Sequence, residues 1–231
     1  MKIVEFIQGE LKGWGKTERF IFPPVILLIL IISIYMKDEP AALISAICGI
    51  IATVTAGKGK ISCYMFGMIC NICYSYISFK NHFWGNLCLN MLYYFPMQFV
   101  GIAKWKDHIQ KETQTVYKTS LGKTERIIYS LTAILLCIIG YFVLLKIHDS
   151  NPAIDSVTTI LSVIAFILTV KRCIEQWYLW TIINALCVIM WIGAYINGSH
   201  CFATILMWST YFILGLYFLH NWKKEIKNNH E

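Results

Sequence analysis

Apolar positions along the chain gather into eight blocks of 17 to 21 residues, parted by short polar turns. They are Phe20–Met36, Pro40–Ala56, Ile61–Phe79, Phe83–Ala103, Ile127–Leu145, Pro152–Val170, Trp177–Ile196 and Cys201–Leu219. Each is close to the ~20 residues that cross a bilayer as an α-helix. Lipid offers the backbone no other partner for its N–H and C=O groups, so helices are the expected form. Ile26–Ile34 is almost wholly isoleucine and leucine, an ordinary composition for a helix in lipid. The pattern predicts an all-α integral membrane protein with eight transmembrane helices.

Composition agrees. The chain is 57% hydrophobic and 14% charged, with a mean hydropathy of +0.58. A soluble domain carries roughly 25% charged residues and cannot hide so much apolar surface in one core. Residues 1–19 lack the apolar run and the cleavage site of a signal peptide. Val4, Phe6, Ile7, Leu11 and Trp14 suit one face of a short interfacial helix, and a frayed tail is the equal alternative. The nine cysteines are odd in number and mostly within spans, so free thiols are expected. Cys70-x-x-Cys73, flanked by Met, Ile and Tyr inside a span, reads as packing rather than a metal or redox pair.

Charge placement orients the spans. With loops assigned alternately to two sides, seventeen of the twenty Lys and Arg residues fall on one side, and only Lys37, Lys80 and Lys146 on the other. The positive-inside rule makes the crowded side cytoplasmic, with both termini. The loop from Lys106 to Lys123 reads as a solvated basic linker with attraction to anionic lipid as the alternative, and nothing points to nucleic acid.

The pentapeptide Gly-Lys-Thr-Glu-Arg occurs twice, at Gly15–Arg19 and Gly122–Arg126, before spans one and five. Thr55-Ala-Gly-Lys58 before span three likewise matches Thr169-Val-Lys-Arg172 before span seven, and Lys104-Trp105 resembles Asn221-Trp222. These matches predict two parallel repeats related by an axis along the membrane normal. The pentapeptide itself suits a helix start, with a threonine able to cap and an acidic first turn. It lacks the spacing of a phosphate loop.

No Asp, Glu, Lys, Arg or His lies at the centre of a span. Proton and sodium coupling normally mark themselves with such groups, so passive movement is expected, and a retinal-binding lysine is missing. All six histidines belong to loops or span edges and no catalytic set is visible, which argues against an enzyme, a metal site or a cofactor. The spans do hold aromatic and amide side chains at helical spacing. In span seven Trp177, Trp180 and Asn184 stand at i, i+3 and i+7 beside Gln176. An interfacial aromatic belt and an asparagine gluing helices remain the bland alternative. Span four supplies Asn86, Asn90, Tyr93, Tyr94 and Gln98, span three Asn71, Tyr74 and Tyr76, and span eight Trp208 and Tyr211. Two such walls facing each other would form a neutral pocket for a flat heteroaromatic ring carrying a sugar. Rings stack on Trp and Tyr, and hydroxyls bond Asn and Gln. A cationic ring would gain cation–π attraction without a carboxylate.

The stretch Lys171-Arg-Cys-Ile-Glu175-Gln176-Trp177-Tyr-Leu-Trp180-Thr-Ile-Ile-Asn184 resembles the W-x-x-W…N signature of PnuC-type nicotinamide riboside transporters. Lys60-Ile-Ser-Cys-Tyr64-Met-Phe-Gly67 and the Gly101…Trp105 ending of span four are similar to that family too. The resemblance spans about residues 40–222. It implies a SWEET-like 3+1+3 fold: bundles at 40–105 and 152–222, a cytoplasmic linker at 106–126 and a linking helix at 127–147. An interfacial segment (1–19), an extra N-terminal helix (20–36) and a cytoplasmic tail (223–231) complete it. The implied activity is facilitated diffusion by alternating access, with a cytoplasmic kinase trapping the vitamin; a homo-oligomer is left open. Trp177, Trp180, Asn184 and Gln176 carry over as substrate contacts, joined by Asn90, Tyr94, Gln98, Trp208 and Tyr211. Where the family often has an asparagine after Phe-Gly-x-x, this chain has Cys70 and then Asn71. Asn71 then serves after a small rotation, or the contact is lost and the substrate differs. The alternatives are another vitamin (thiamine or riboflavin) or a sugar on the same machine, and a non-transporting sensor or assembly subunit.

Overall fold

The computed structural model describes residues 10, 16–80, 84–110, 115–146, 152–198, 200 and 202–228, and from Lys16 onward eight helices follow one another among these. They are α1 (Lys16–Tyr35), α2 (Pro40–Gly57), α3 (Ser62–Lys80), α4, α5 (Lys123–Lys146), α6 (Pro152–Val170), α7 (Glu175–Ile196) and α8 (Phe202–Asn228). α4 has three parts: Trp84–Cys88, a π-helical turn at Leu89–Tyr94, and Phe95–Lys106. Five helices, α2 and α5 to α8, are long and apolar enough to cross a membrane. The residues Val4, Phe6, Ile7, Leu11 and Trp14 of the expected interfacial helix lie outside the described residues. α8 runs on through residues expected in a tail from 223, and α5 begins four residues ahead of its predicted start.

Helix ends follow their chemistry. Pro40 and Pro152 open α2 and α6, where a missing N–H costs no helical bond. At the second pentapeptide the Glu125 carboxylate accepts the Gly122 N–H at 3.0 Å, half of a capping box. The expected threonine cap is not used: Thr124 already lies within the first turn, too late to cap. Asp38, from the α1–α2 turn, accepts the Phe202 and Ala203 N–H groups at 3.2 and 2.8 Å, placing a carboxylate on the N-terminus of α8. All eight described cysteines are free thiols.

α2 packs on α3 and α3 on α4; α7 lies between α6 and α8; α5 runs along α6, α1 along α2, and α2 meets α8. α5 buries none of its residues and presents isoleucine, leucine and phenylalanine outward, as lipid contact requires. The α2–α3 and α6–α7 turns repeat one geometry. Gly59 and Arg172 both take positive φ (72° and 63°), and Lys60 and Cys173 each donate five residues back, to Thr55 and Leu168. The structural register is therefore 113 positions, not the 114 of the Thr55–Thr169 match, because the left-handed residue fixes the turn. In this register Tyr64 corresponds to Trp177 and Asn71 to Asn184.

The two halves hold each other reciprocally. The Trp105 indole N–H at the end of α4 bonds the Thr169 carbonyl at 3.1 Å. The Trp222 indole near the end of α8 bonds the Gly57 carbonyl at 2.7 Å. Both indoles are fully buried, and each satisfies a carbonyl in the last turn of a helix of the other half. Between α4 and α5 the chain forms a strap across both turns. Val116 N–H bonds Gly59 O at 3.0 Å, Thr119 N–H bonds Arg172 O at 3.0 Å, and Ile174 N–H bonds Thr119 O at 2.9 Å. Lys118 in the strap is buried, pairs with Glu225 and sits 5.2 Å from the Trp222 ring centroid. Burial pushes its pKa below the usual lysine value, against the pull of the Glu225 carboxylate.

Candidate functional site

Between the two halves lies a cavity of about 190 Å³. α7 contributes Trp177, Trp180 and Asn184 from one face, with Gln176 at its base. α3 contributes Asn71 and Tyr74; Tyr76, two residues on and therefore across the helix, is 51% exposed and faces outward. α8 adds Trp208 and Tyr211. α4 adds Asn86, Asn90, Tyr94 and Gln98, each four residues from the last. In a regular α-helix such a series drifts by roughly 40° per step. The wider π turn at Leu89–Tyr94 absorbs that drift and keeps the polar side chains on the cavity. Tyr93 points elsewhere, its hydroxyl donating to Val163 O at 2.8 Å on α6.

Of the fourteen aromatic and amide residues singled out in the sequence, twelve line one cavity, Asn71 among them, opposite in the repeat to Asn184; Tyr76 and Tyr93 do not. Trp177 is 3% exposed and packs on Phe218 and Trp222 at 5.4 and 5.8 Å, so it is no member of an interfacial belt. Two walls were missed. α2 supplies Gly49, Ala52, Thr53 and Ala56, and α6 supplies Thr158, Ser162, Phe166 and Thr169. The signal on α6 was a hydroxyl stripe at helical spacing in an otherwise aliphatic helix.

Side-chain positions are held by a few specific bonds. The Trp180 indole donates to Thr169 Oγ1 at 3.1 Å, and that hydroxyl donates to Ala165 O at 2.9 Å. The Tyr94 ring stands 5.2 Å from Phe166 and 6.4 Å from Trp180. The Trp191 indole bonds the Tyr74 hydroxyl at 2.9 Å, and Tyr74 meets Trp208 edge-on at 6.1 Å. The Gln98 amide lies against Gly67, where a Cβ would come within 2.7 Å of Nε2, so a larger residue there would push the amide aside.

Donors in the cavity divide into spent and unspent. Asn90 Nδ2 bonds Asn86 O at 2.8 Å and Gln176 Nε2 bonds Cys173 O at 3.0 Å. Asn71 Nδ2 and Trp177 Nε1 are buried without a partner. Such groups cost ~1–3 kcal/mol each unless something polar meets them. The cavity lining includes, among the described residues, no Asp, Glu, Lys, Arg or His. Among the described residues no group of His, Cys, Asp and Glu could hold a metal ion.

Comparisons with known proteins agree with one another. Residues 39–224 match the family described as nicotinamide mononucleotide transporter. The nicotinamide riboside transporter PnuC of Neisseria mucosa is 31% identical over 204 residues, which cover 86% of this chain and 78% of that protein. The nicotinamide riboside transporter PnuC of Haemophilus influenzae is 32% identical over 194 residues, 82% of each chain. A crystal structure of the vitamin B3 transporter PnuC superposes with a TM-score of 0.88 at 29% identity, covering 98% of this chain and 99% of that one.

Proposed function

The chain belongs to the nicotinamide mononucleotide transporter family, and on that premise we propose that it carries nicotinamide riboside across a membrane. One observation carries the choice of riboside over mononucleotide: a cavity with aromatic and amide walls and no cation among its described residues. A phosphate desolvated there would need Arg, Lys or a helix N-terminus to replace its water. The riboside makes no such demand. Its cationic pyridinium gains cation–π attraction from Trp180, Tyr94 and Trp208. Its hydroxyls and carboxamide complement Asn71, Asn184 and Gln98 as donors and acceptors.

Transport is facilitated diffusion. The described lining residues include no Asp, Glu, His, Lys or Arg to couple cargo to protons or sodium. Two three-helix bundles, α2–α4 and α6–α8, joined by α5 in a 3+1+3 order with α1 extra, rock about the midplane site. The basic face, with the strap and both termini, is cytoplasmic. A downhill carrier accumulates nothing by itself, so net uptake depends on a cytoplasmic kinase that converts the riboside to a phosphate the cavity rejects.

Proteoliposomes with such a kinase and ATP inside test this. Labelled nicotinamide riboside should accumulate as the phosphorylated product, and without ATP should only equilibrate. No uptake, or equal uptake of the mononucleotide, contradicts the assignment.

A further inference from the structure

A second recess, of about 730 Å³, is wedged between α5 and α7, with α6 as its floor and the end of α8 at its mouth. Along α5 its lining runs from Arg126 to Ile134, along α7 from Glu175 to Ile182, and along α6 from Leu168 to Leu161. At 1.5 Å per residue these runs are about 10–12 Å deep, most of one ~15 Å leaflet of the hydrocarbon core. All three helices change character along that depth. The inner part is aliphatic, with Ala133, Ile134, Leu161, Ile164, Leu179 and Ile182. The mouth holds Arg126, Lys223 and Lys227, with the hydroxyl groups of Tyr129, Ser130 and Tyr178.

Among the described residues of the lining Glu175 is the one acid, so there cations exceed anions by two. Glu175 is itself occupied: Oε1 takes Arg126 Nε and Nη2 at 2.9 Å each, and Oε2 takes the Leu121 N–H at 3.1 Å. It acts as a bracket that fixes the guanidinium at the mouth. Lys223 Nζ lies 4.9 Å from the Tyr178 ring centroid, which brings a second cation to the same rim. An aliphatic slot one leaflet deep, open along α5 and rimmed by basic and hydroxyl groups, has the chemistry of a phospholipid site. The excess charge selects an anionic headgroup. We propose that this recess binds an anionic phospholipid from the leaflet on the basic side, one acyl chain between α5 and α7 and the phosphate among Arg126, Lys223 and Lys227. The site is separate from the transport cavity and does not depend on the cargo.

The test uses full-length protein stripped of lipid in detergent. Melting temperature and native mass spectrometry are followed on adding phosphatidylglycerol or phosphatidylcholine of the same chain length. Phosphatidylglycerol should raise the melting temperature by several degrees more than phosphatidylcholine and remain bound in the gas phase. The double variant Lys223→Gln, Lys227→Gln should abolish that difference, and Ala133→Trp, which fills the slot and spares the cations, should reduce retention. Lys104→Gln with Lys106→Gln, a basic pair away from the recess, should retain it. Equal effects of the two lipids, an equal loss in the Lys104/Lys106 control, or a full shift from glycerol phosphate alone would each overturn the proposal.

Discussion

Thr169→Val removes one oxygen next to the cavity and keeps the branched shape. In the wild type that hydroxyl donates to Ala165 O and accepts the Trp180 indole N–H at 3.1 Å. Valine would set a methyl group in front of the N–H. An unsatisfied buried donor costs ~1–3 kcal/mol; Trp180 is half-buried, so the lower part, ~1–2 kcal/mol, applies. The indole escapes this cost by swinging toward water, which depletes the population with its ring in place for stacking. Apparent affinity falls by that depleted fraction, so Kd for nicotinamide riboside should rise ~5- to 30-fold. Isothermal titration calorimetry in detergent reads this directly. Thr169→Ser keeps the acceptor and should bind within about twofold of wild type. Unchanged binding by the valine variant, or an equal loss in the serine variant, would refute the role given to this bond.

Three further expectations are tied to other parts of the structure. Trp222→Phe removes the donor to Gly57 O and should lower stability by about 1–3 kcal/mol, a melting shift of roughly 2–10 °C, measured by fluorescence in detergent. Initial uptake of nicotinamide riboside by proteoliposomes should not change when a gradient between pH 6 and 8 is imposed in either direction, because the described cavity lining holds no Asp, Glu, His, Lys or Arg. Burial sets the Lys118 pKa below the ordinary 10.5, so at alkaline pH the unfolded chain holds that proton more firmly than the folded one. Stability should therefore rise with pH through the window below 10.5, and Lys118→Met should flatten that rise in melting curves.

Helix positions were legible because apolar length is dictated by bilayer thickness: α6 keeps its predicted bounds and α2, α3 and α7 lie within two residues of theirs, while five of the eight expected spans are long and apolar enough to cross a membrane. The cavity was legible through aromatics and amides, residues whose cost in lipid demands a reason. Thr158, Ser162 and Thr169 escaped notice since a hydroxyl can bond back to its own helix, as Thr158 and Thr169 do, and so leaves a weaker signal. The π turn of α4 was not read, although Pro96 follows it: proline has no N–H to give the Leu92 carbonyl, and the Phe95 N–H bonds Asn90 O five residues back while the turn packs on α3 and α6. The strap was read as a solvated basic loop, yet it buries Val116, Lys118 and Leu121. Its bonds are mostly main-chain, to turns far away in sequence, and those leave no side-chain pattern.

The central claim is that one neutral cavity between the two halves holds the riboside. A structure determined with nicotinamide riboside tests it most directly. The account predicts a single molecule between Trp180 and Trp208, with its polar groups bonded to Asn71 and Asn184. A ligand bound elsewhere, or one whose pyridinium is met by a carboxylate instead of aromatic rings, would contradict it.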